Sequence, residues 1–140
     1  MERWDLFFKS GAAAAGGAAS FLFGEWSGLL TALMFAVAID YVTGVMASGA
    51  EGRLRSSIGL IGIARKVFIF FVVAVAYQVD SVLGDQHLLR DATIFFYLAN
   101  ELLSIIENGG RLGVPLPQVL LKAVEVLKTK GGEKTNDNRN

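Results

Sequence analysis

The segment from Leu88 to Asn108 reads LLRDATIFFYLANELLSIIEN, and it combines an apolar side with a polar side. At about 100° per residue, its hydrogen-bonding side chains fall within an arc of about 140° on a helical wheel. These side chains are Arg90, Thr93, Tyr97, Asn100, Glu101, Ser104, Glu107 and Asn108. The remainder of the wheel is aliphatic or aromatic, so the pattern predicts an amphipathic helix. A helix needs about 20 residues to cross a hydrocarbon core of about 30 Å, and this segment is long enough.

The composition of the whole chain favours a lipid environment over a soluble domain. Of the 140 residues, 53% are hydrophobic and 19% are charged, and the mean hydropathy is +0.47. Soluble domains average about 45–50% apolar and about 25% charged residues. The 13 basic and 13 acidic residues balance, which removes the electrostatic argument for nucleic-acid binding. With no cysteine and one histidine, we expect no metal site, no cofactor and no enzymatic activity.

Three further apolar segments precede Leu88, at about residues 6–23, 27–48 and 65–83. Together with the segment at 88–108, they predict an all-α integral membrane protein with four short transmembrane helices in residues 1–110. The first segment contains Lys9 and a block of weakly hydrophobic glycines and alanines. Three spans are therefore the alternative, and a cleaved signal peptide is another interpretation of the first segment.

The carboxyl-terminal residues are more polar. Residues 111–128 are predicted to form a cytoplasmic or interfacial segment with a short amphipathic helix from Gln118 to about Lys128. Residues 129–140 are rich in glycine, lysine and asparagine, and they are predicted to form a disordered polar tail.

The loop from Gly49 to Lys66 indicates the orientation. It carries one acidic residue, Glu51, against the basic residues Arg53, Arg55, Arg65 and Lys66. The positive-inside rule places this loop in the cytoplasm. With four spans, both termini are then cytoplasmic.

Asp40 is the single charge of the second segment, about eight residues or roughly 12 Å from its cytoplasmic end. Because Arg65 and Lys66 enter the membrane from the same side, one of them is its expected partner in an intramembrane ion pair. The pair is either a structural link between two helices or a switch sensitive to protons or potential. At the opposite end of the third segment we expect Asp80 to be solvated, and His87 to be exposed in a short loop.

The polar stripe of the fourth segment is the candidate pore-lining or oligomerisation surface. It comprises Thr93, Tyr97, Asn100, Glu101, Ser104, Glu107 and Asn108. One chain has too few helices to enclose an aqueous space, but several copies could line one with this helix. In the alternative, Asn100 and Glu101 bond to other helices of the same chain and no pore exists.

Four motifs together resemble the toxin-secretion and phage-lysis holin family. They are IDYVTG at 39–44, SIGLIGIARK at 57–66, FYLANELLSIIEN at 96–108 and LGVPLP at 112–117. The resemblance extends from about Leu29 to Lys128, and the segment around Asn100-Glu101 and Glu107-Asn108 is its most specific part.

The resemblance implies a bacteriophage holin that oligomerises in the bacterial cytoplasmic membrane. Its lesions would collapse the membrane potential and let a cytoplasmic endolysin, or a toxin, cross, which leads to host lysis. The implied partners are the lipid bilayer, further copies of the chain and, functionally, the endolysin. The family has no agreed catalytic residues to transfer. Two other functions fit four short helices with an embedded carboxylate: a small proton-coupled multidrug exporter, and a non-conducting membrane assembly subunit.

Overall fold

The computed structural model describes residues 2–84, 86–123 and 125–126, and this part of the chain is helical, without strands. The four long helices are α1 (Glu2–Phe23), α2 (Gly28–Ala50), α3 (Ser56–Leu83) and α4 (Leu88–Arg111). The predicted all-α class is confirmed. The division into a transmembrane domain, an interfacial segment and a tail stays a prediction.

Three of the helical stretches are long and apolar enough to cross a membrane: Glu2–Phe23, Gly28–Ala50 and Gly59–Leu83. α4 is not among them, because the polar stripe lowers its average hydropathy. The structure therefore supports a membrane protein with three apolar helices, while the fourth span stays a prediction.

All four helices extend beyond the ranges expected from the sequence: α1 begins at Glu2 rather than near residue 6, and α2 ends at Ala50 rather than near residue 48. α3 begins at Ser56 rather than near residue 65, because the charged loop contains no proline and its second half can continue the helix of the apolar segment. α4 ends at Arg111 rather than Asn108. Gly109 and Gly110 remain helical, and the left-handed turn falls on Gly113, with φ +77°.

The core is small and lies where α2, α3 and α4 meet. Leu30, Leu33, Ile69, Val73 and Ile94 form one buried cluster. α4 packs chiefly on α2 and also on α3, whereas α2 and α3 contact each other little, and α1 packs mainly on α3 without burying any residue. Large apolar side chains cover the outer faces of the helices, which suits a lipid surrounding.

A tight turn joins α1 to α2. Gly24 ends α1 with φ +77°, and a Cβ atom there would collide with the ring of Tyr77. Ser27 then caps α2, its hydroxyl accepting a bond from the backbone N–H of Leu30 at 3.4 Å. Position 24 therefore requires glycine, both for its left-handed conformation and for the close contact with Tyr77.

The expectation that Asp80 is solvated was wrong. Asp80 is 1% exposed, and its carboxylate accepts hydrogen bonds from the backbone N–H groups of Leu89 at 3.0 Å and Arg90 at 2.7 Å. The turn after α3 contains two left-handed residues, Gly84 and His87. It folds the start of α4 back over the end of α3, so that Asp80 satisfies N–H groups that the first turn of a helix leaves free.

His87 is half-buried rather than exposed as expected. Its ring stacks on Tyr77 at a centroid distance of 5.7 Å. Nearby, Arg90 is 3% exposed and donates to the carbonyl oxygens of Phe23 and Glu25 at 2.8 and 3.0 Å. This end of the molecule is therefore held together by polar contacts among three segments.

The predicted carboxyl-terminal helix is only partly within the described residues. Residues 118–123 are helical, and the N–H groups of Leu120 and Leu121 donate to the carbonyl oxygen of Pro117. Its amphipathic character up to Lys128 stays a prediction. The tail at 129–140 lies outside the described residues.

Candidate functional site

An ion cluster between α2, α3 and α4 is the main polar feature of the described residues. The ammonium of Lys66 on α3 forms ion pairs with Asp40 on α2 and with Glu101 on α4, the latter at 2.8 Å to Oε2. Asp40 and Glu101 are each 5% exposed, and the Lys66 side chain is 21% exposed. One cation therefore links three helices.

The sequence left Arg65 and Lys66 open as partners of Asp40, and the structure pairs Asp40 with Lys66. Arg65 is exposed, and within the described part of the chain it binds no carboxylate. Consecutive residues on a helix differ by about 100° in direction, so the rotation of α3 that points Lys66 inward turns Arg65 outward.

Asn108 completes the cluster from two helical turns beyond Glu101. Its Nδ2 lies 2.9 Å from Oδ1 of Asp40, 3.2 Å from the Asp40 carbonyl oxygen and 3.0 Å from the Thr43 hydroxyl. A Cβ atom on Gly44 would lie 3.5 Å from the same nitrogen, so a small residue there allows the close approach. Glu101 and Asn108, seven residues apart, share the face of α4 that meets α2.

The polar stripe on α4 therefore divides between two environments. Glu101 and Asn108 are buried within the chain, as is Arg90 at the other end of the helix. Thr93, Tyr97 and Ser104 are half-buried, and the Thr93 hydroxyl donates to the Leu89 carbonyl oxygen of its own helix. Asn100 and Glu107 are exposed. The structure brings Asp40, Lys66, Glu101 and Asn108 together and leaves Asn100 on the outside.

A second ion pair, which the sequence reasoning missed, joins the loop after α2 to the end of α4. Arg111 binds Glu51 through two bonds, Nε to Oε1 at 2.9 Å and Nη2 to Oε2 at 3.1 Å. The Arg111 guanidinium holds the pKa of the exposed Glu51 carboxyl below its usual value of 4.5. In the sequence, Glu51 is the one acidic residue among several basic loop residues, but this pattern does not identify Arg111 as its partner.

The described residues offer no group of three histidine or acidic side chains placed to bind a metal ion. The cluster consists of one ammonium, two carboxylates and one amide. Its chemistry is electrostatic, and it fixes the positions of α2, α3 and α4 relative to one another.

Apolar outer faces, three helices of spanning length and charges satisfied in the interior define a helical membrane protein. The model of the bacteriophage holin family matches residues 17–129 of this chain. The chain therefore belongs to the bacteriophage holin family, which points to a non-enzymatic membrane protein that inserts and oligomerises.

Curated relatives cover nearly the whole chain. An uncharacterized protein of Halalkalibacterium halodurans is 47% identical over 129 residues, which are 89% of this chain and 96% of the relative. An uncharacterized protein of Listeria monocytogenes is 43% identical, with 92% of each chain covered. A protein of Bacillus phage phi105 described as a probable holin is 37% identical over 118 residues, 84% of this chain and 87% of its own. No solved structure matches.

Proposed function

We propose that this chain acts as a holin that oligomerises in the bacterial cytoplasmic membrane. Its lesions collapse the membrane potential and let a cytoplasmic endolysin, or a toxin, cross, and the host cell lyses. The observation that carries this proposal is the family match over residues 17–129. The likeness to a phage protein described as a probable holin supports it.

The proposed topology has four spans and two cytoplasmic termini. α4 has 24 residues, or about 36 Å at helical rise, which is enough to cross the hydrocarbon core. Two of its polar side chains, Glu101 and Asn108, are bonded to α2 and α3. These bonds lower the free-energy cost of placing α4 in lipid, because charged side chains are tolerated within a membrane where they are paired.

The proposed pore surface is the outer part of the polar stripe: Asn100 and Glu107, flanked by Thr93, Tyr97 and Ser104. An amide facing lipid is unfavourable, and contact with neighbouring subunits or with water removes that penalty. The ion cluster contributes indirectly, since it fixes the rotation of α4 and so keeps Asn100 directed outward.

The test is inducible expression in bacteria while the membrane potential is followed with a dye, with and without a co-expressed cytoplasmic endolysin. We expect an abrupt loss of potential after a delay, and lysis only when the endolysin is present. Gradual, saturable and energised export without loss of viability would instead indicate a proton-coupled exporter. Neither depolarisation nor export would indicate a non-conducting assembly subunit.

A matched pair of variants tests the pore surface. Asn100→Leu removes the exposed amide, and Ala99→Leu introduces the same side chain at the adjacent exposed position, on the apolar side of the wheel. We expect Asn100→Leu to delay depolarisation at an equal membrane level of protein, and Ala99→Leu to keep the original timing. Equal timing in both variants would argue against this surface.

A further inference from the structure

A basic cavity opens between the cytoplasmic ends of α2, α3 and α4, as the predicted orientation places them. Its volume is about 330 Å³. Asp40 and Asn108 line it and are buried, whereas the four arginines that line it, Arg53, Arg55, Arg65 and Arg111, are exposed. The cavity therefore has a buried floor and a cationic rim.

The charges of this cavity are unequally balanced. Five cationic side chains line it. Arg111 is taken by Glu51, and Lys66 is taken by Asp40 and Glu101. Arg53, Arg55 and Arg65 pair with no carboxylate among residues 2–84, 86–123 and 125–126. The rim thus presents guanidinium groups with donors available to an anion.

An apolar groove adjoins the basic cavity. It has a volume of about 270 Å³ and is lined by Val37, Ala38, Ile63, Val67 and Phe70. Tyr41 and Lys66 line both spaces. The groove exists because α2 and α3 pack on α4 more than on each other, which leaves a gap between their lipid-facing sides.

Two glycines shape the junction between these spaces. A Cβ atom on Gly59 would lie 3.5 Å from the Tyr41 hydroxyl, and one on Gly62 would lie 3.7 Å from the Tyr41 ring. The Tyr41 ring therefore packs against the side of α3 that carries these two glycines. A cationic rim and an apolar groove consequently meet at one aromatic side chain.

We propose that this paired site binds one anionic phospholipid, with its phosphate at the arginines and an acyl chain in the groove between α2 and α3. Guanidinium groups bind phosphate oxygens through two parallel, charge-assisted hydrogen bonds. Basic pockets between membrane helices on the cytoplasmic side are typical of anionic headgroup sites. A free phosphate would use the rim alone, whereas the adjoining groove fits an amphiphile.

The test uses the full chain purified in detergent, with bound lipid counted by native mass spectrometry. Phosphatidylglycerol and phosphatidylcholine with identical acyl chains are titrated separately, and glycerol 3-phosphate and inorganic phosphate are added as competitors. We expect one phosphatidylglycerol to bind at least tenfold more tightly than phosphatidylcholine, with neither soluble phosphate displacing it. Equal binding of the two lipids, or displacement by millimolar soluble phosphate, would overturn the proposal.

A triple variant and its charge-matched control locate the site. The triple variant Arg53→Gln, Arg55→Gln, Arg65→Gln removes the rim, and Arg3→Gln, Lys9→Gln, Lys122→Gln removes three cations elsewhere. Each basic side chain near an anionic surface adds to the attraction, so the loss of the three rim arginines should together weaken phosphatidylglycerol binding about a hundredfold. The control should weaken it less than tenfold. An equal loss in both would mean a non-specific charge effect and would overturn the site.

The groove has its own variant. Ala38 is exposed on α2 and lines the groove, so Ala38→Trp fills it without touching the rim. We expect phosphatidylglycerol binding to weaken while the helix content of the protein, measured by circular dichroism, stays unchanged. Undiminished binding in a folded Ala38→Trp variant would contradict the proposed acyl-chain position. None of these measurements depends on lysis, so the lipid site and the holin function fail or stand separately.

Discussion

Replacement of Lys66 by methionine tests the ion cluster directly. Methionine is similar in length but has no charge, so the variant leaves Asp40 and Glu101 facing each other without a cation. Both carboxylates are buried, although Asp40 also lines the basic cavity, so water can replace the lost partner only in part. We expect Lys66→Met to destabilise the packing of α2, α3 and α4.

The magnitude follows from the burial of the three groups. Removing one partner of a buried ion pair costs about 3–5 kcal/mol, because the remaining charge is uncompensated. The Lys66 side chain is partly accessible, which favours the lower end, about 3 kcal/mol. Arg65→Met is the matched control, since it removes the adjacent exposed cation, and surface changes of this kind stay within about 0.5 kcal/mol.

The assay is reversible unfolding of the purified protein in mixed micelles with increasing denaturing detergent, followed by circular dichroism. A third variant, Lys66→Met with Asp40→Asn and Glu101→Gln, removes the uncompensated charges as well. We expect it to recover part of the stability, because the uncompensated charges are gone, while the two buried amides still need hydrogen-bond partners. Lys66→Met as stable as Arg65→Met would refute the cluster as the link between the three helices.

Three more predictions concern the ends of the helices. Glu51→Gln should lower stability at pH 7 but not in acid. Arg111 holds the pKa of Glu51 below 4.5. The stability that the ion pair contributes is therefore fully present above pH 4.5 and is lost as the pH falls through the lowered pKa. Asp80→Ala should cost about 2 kcal/mol, because a buried and a partly buried N–H group at the start of α4 lose their acceptor. Gly24→Ala should cost about 2 kcal/mol or more, since a left-handed conformation alone costs about 1–2 kcal/mol and the added methyl group collides with Tyr77. All three are measured by the same unfolding assay.

Each of these predictions has a control. For Glu51→Gln it is the pH series itself, and a stability difference that does not shrink as the pH is lowered further and further below 4.5 would contradict the ion pair. Gln86→Ala, an exposed change in the same turn, is the control for Asp80→Ala. Gly84→Ala has a similar φ of +73° but open space around it. If it destabilised as much as Gly24→Ala, the Tyr77 contact would contribute nothing.

The sequence predicted the all-α class because apolar length and helical periodicity are local properties. It also predicted that Asp40 pairs with a cation from the start of the third apolar segment, because both charges lie near the cytoplasmic ends of their segments. It did not distinguish Arg65 from Lys66, because that choice depends on the rotation of α3 against α2. Rotation is set by packing across the core, which no single segment encodes.

The polar stripe and Asp80 show the same limit in different ways. An arc of about 140° on a helical wheel is wide enough to face two environments, and only the position of α2 decides that Glu101 is inside while Asn100 is outside. Asp80 caps α4 because Gly84 and His87 reverse the chain. Positive φ at a histidine is uncommon, and the sequence offered no pattern that predicted it.

The division of the stripe sets the expected size of the Asn100→Leu effect. The buried groups of α4 already have partners within the chain, so on the proposed function the exposed amide of Asn100 is the group that attracts neighbouring subunits. Hydrogen bonds between membrane helices average about 0.6 kcal/mol, and loss of one such bond weakens association about threefold. Attraction this weak leaves subunits apart at low density and assembles them only at high density.

Asn100→Leu should therefore raise, by about threefold, the protein level at which the potential collapses. This level is measured by quantitative immunoblotting at the moment of depolarisation. A variant that never depolarises the cell would mean that Asn100 does more than join subunits, and an unchanged level would mean that the subunits meet through another face.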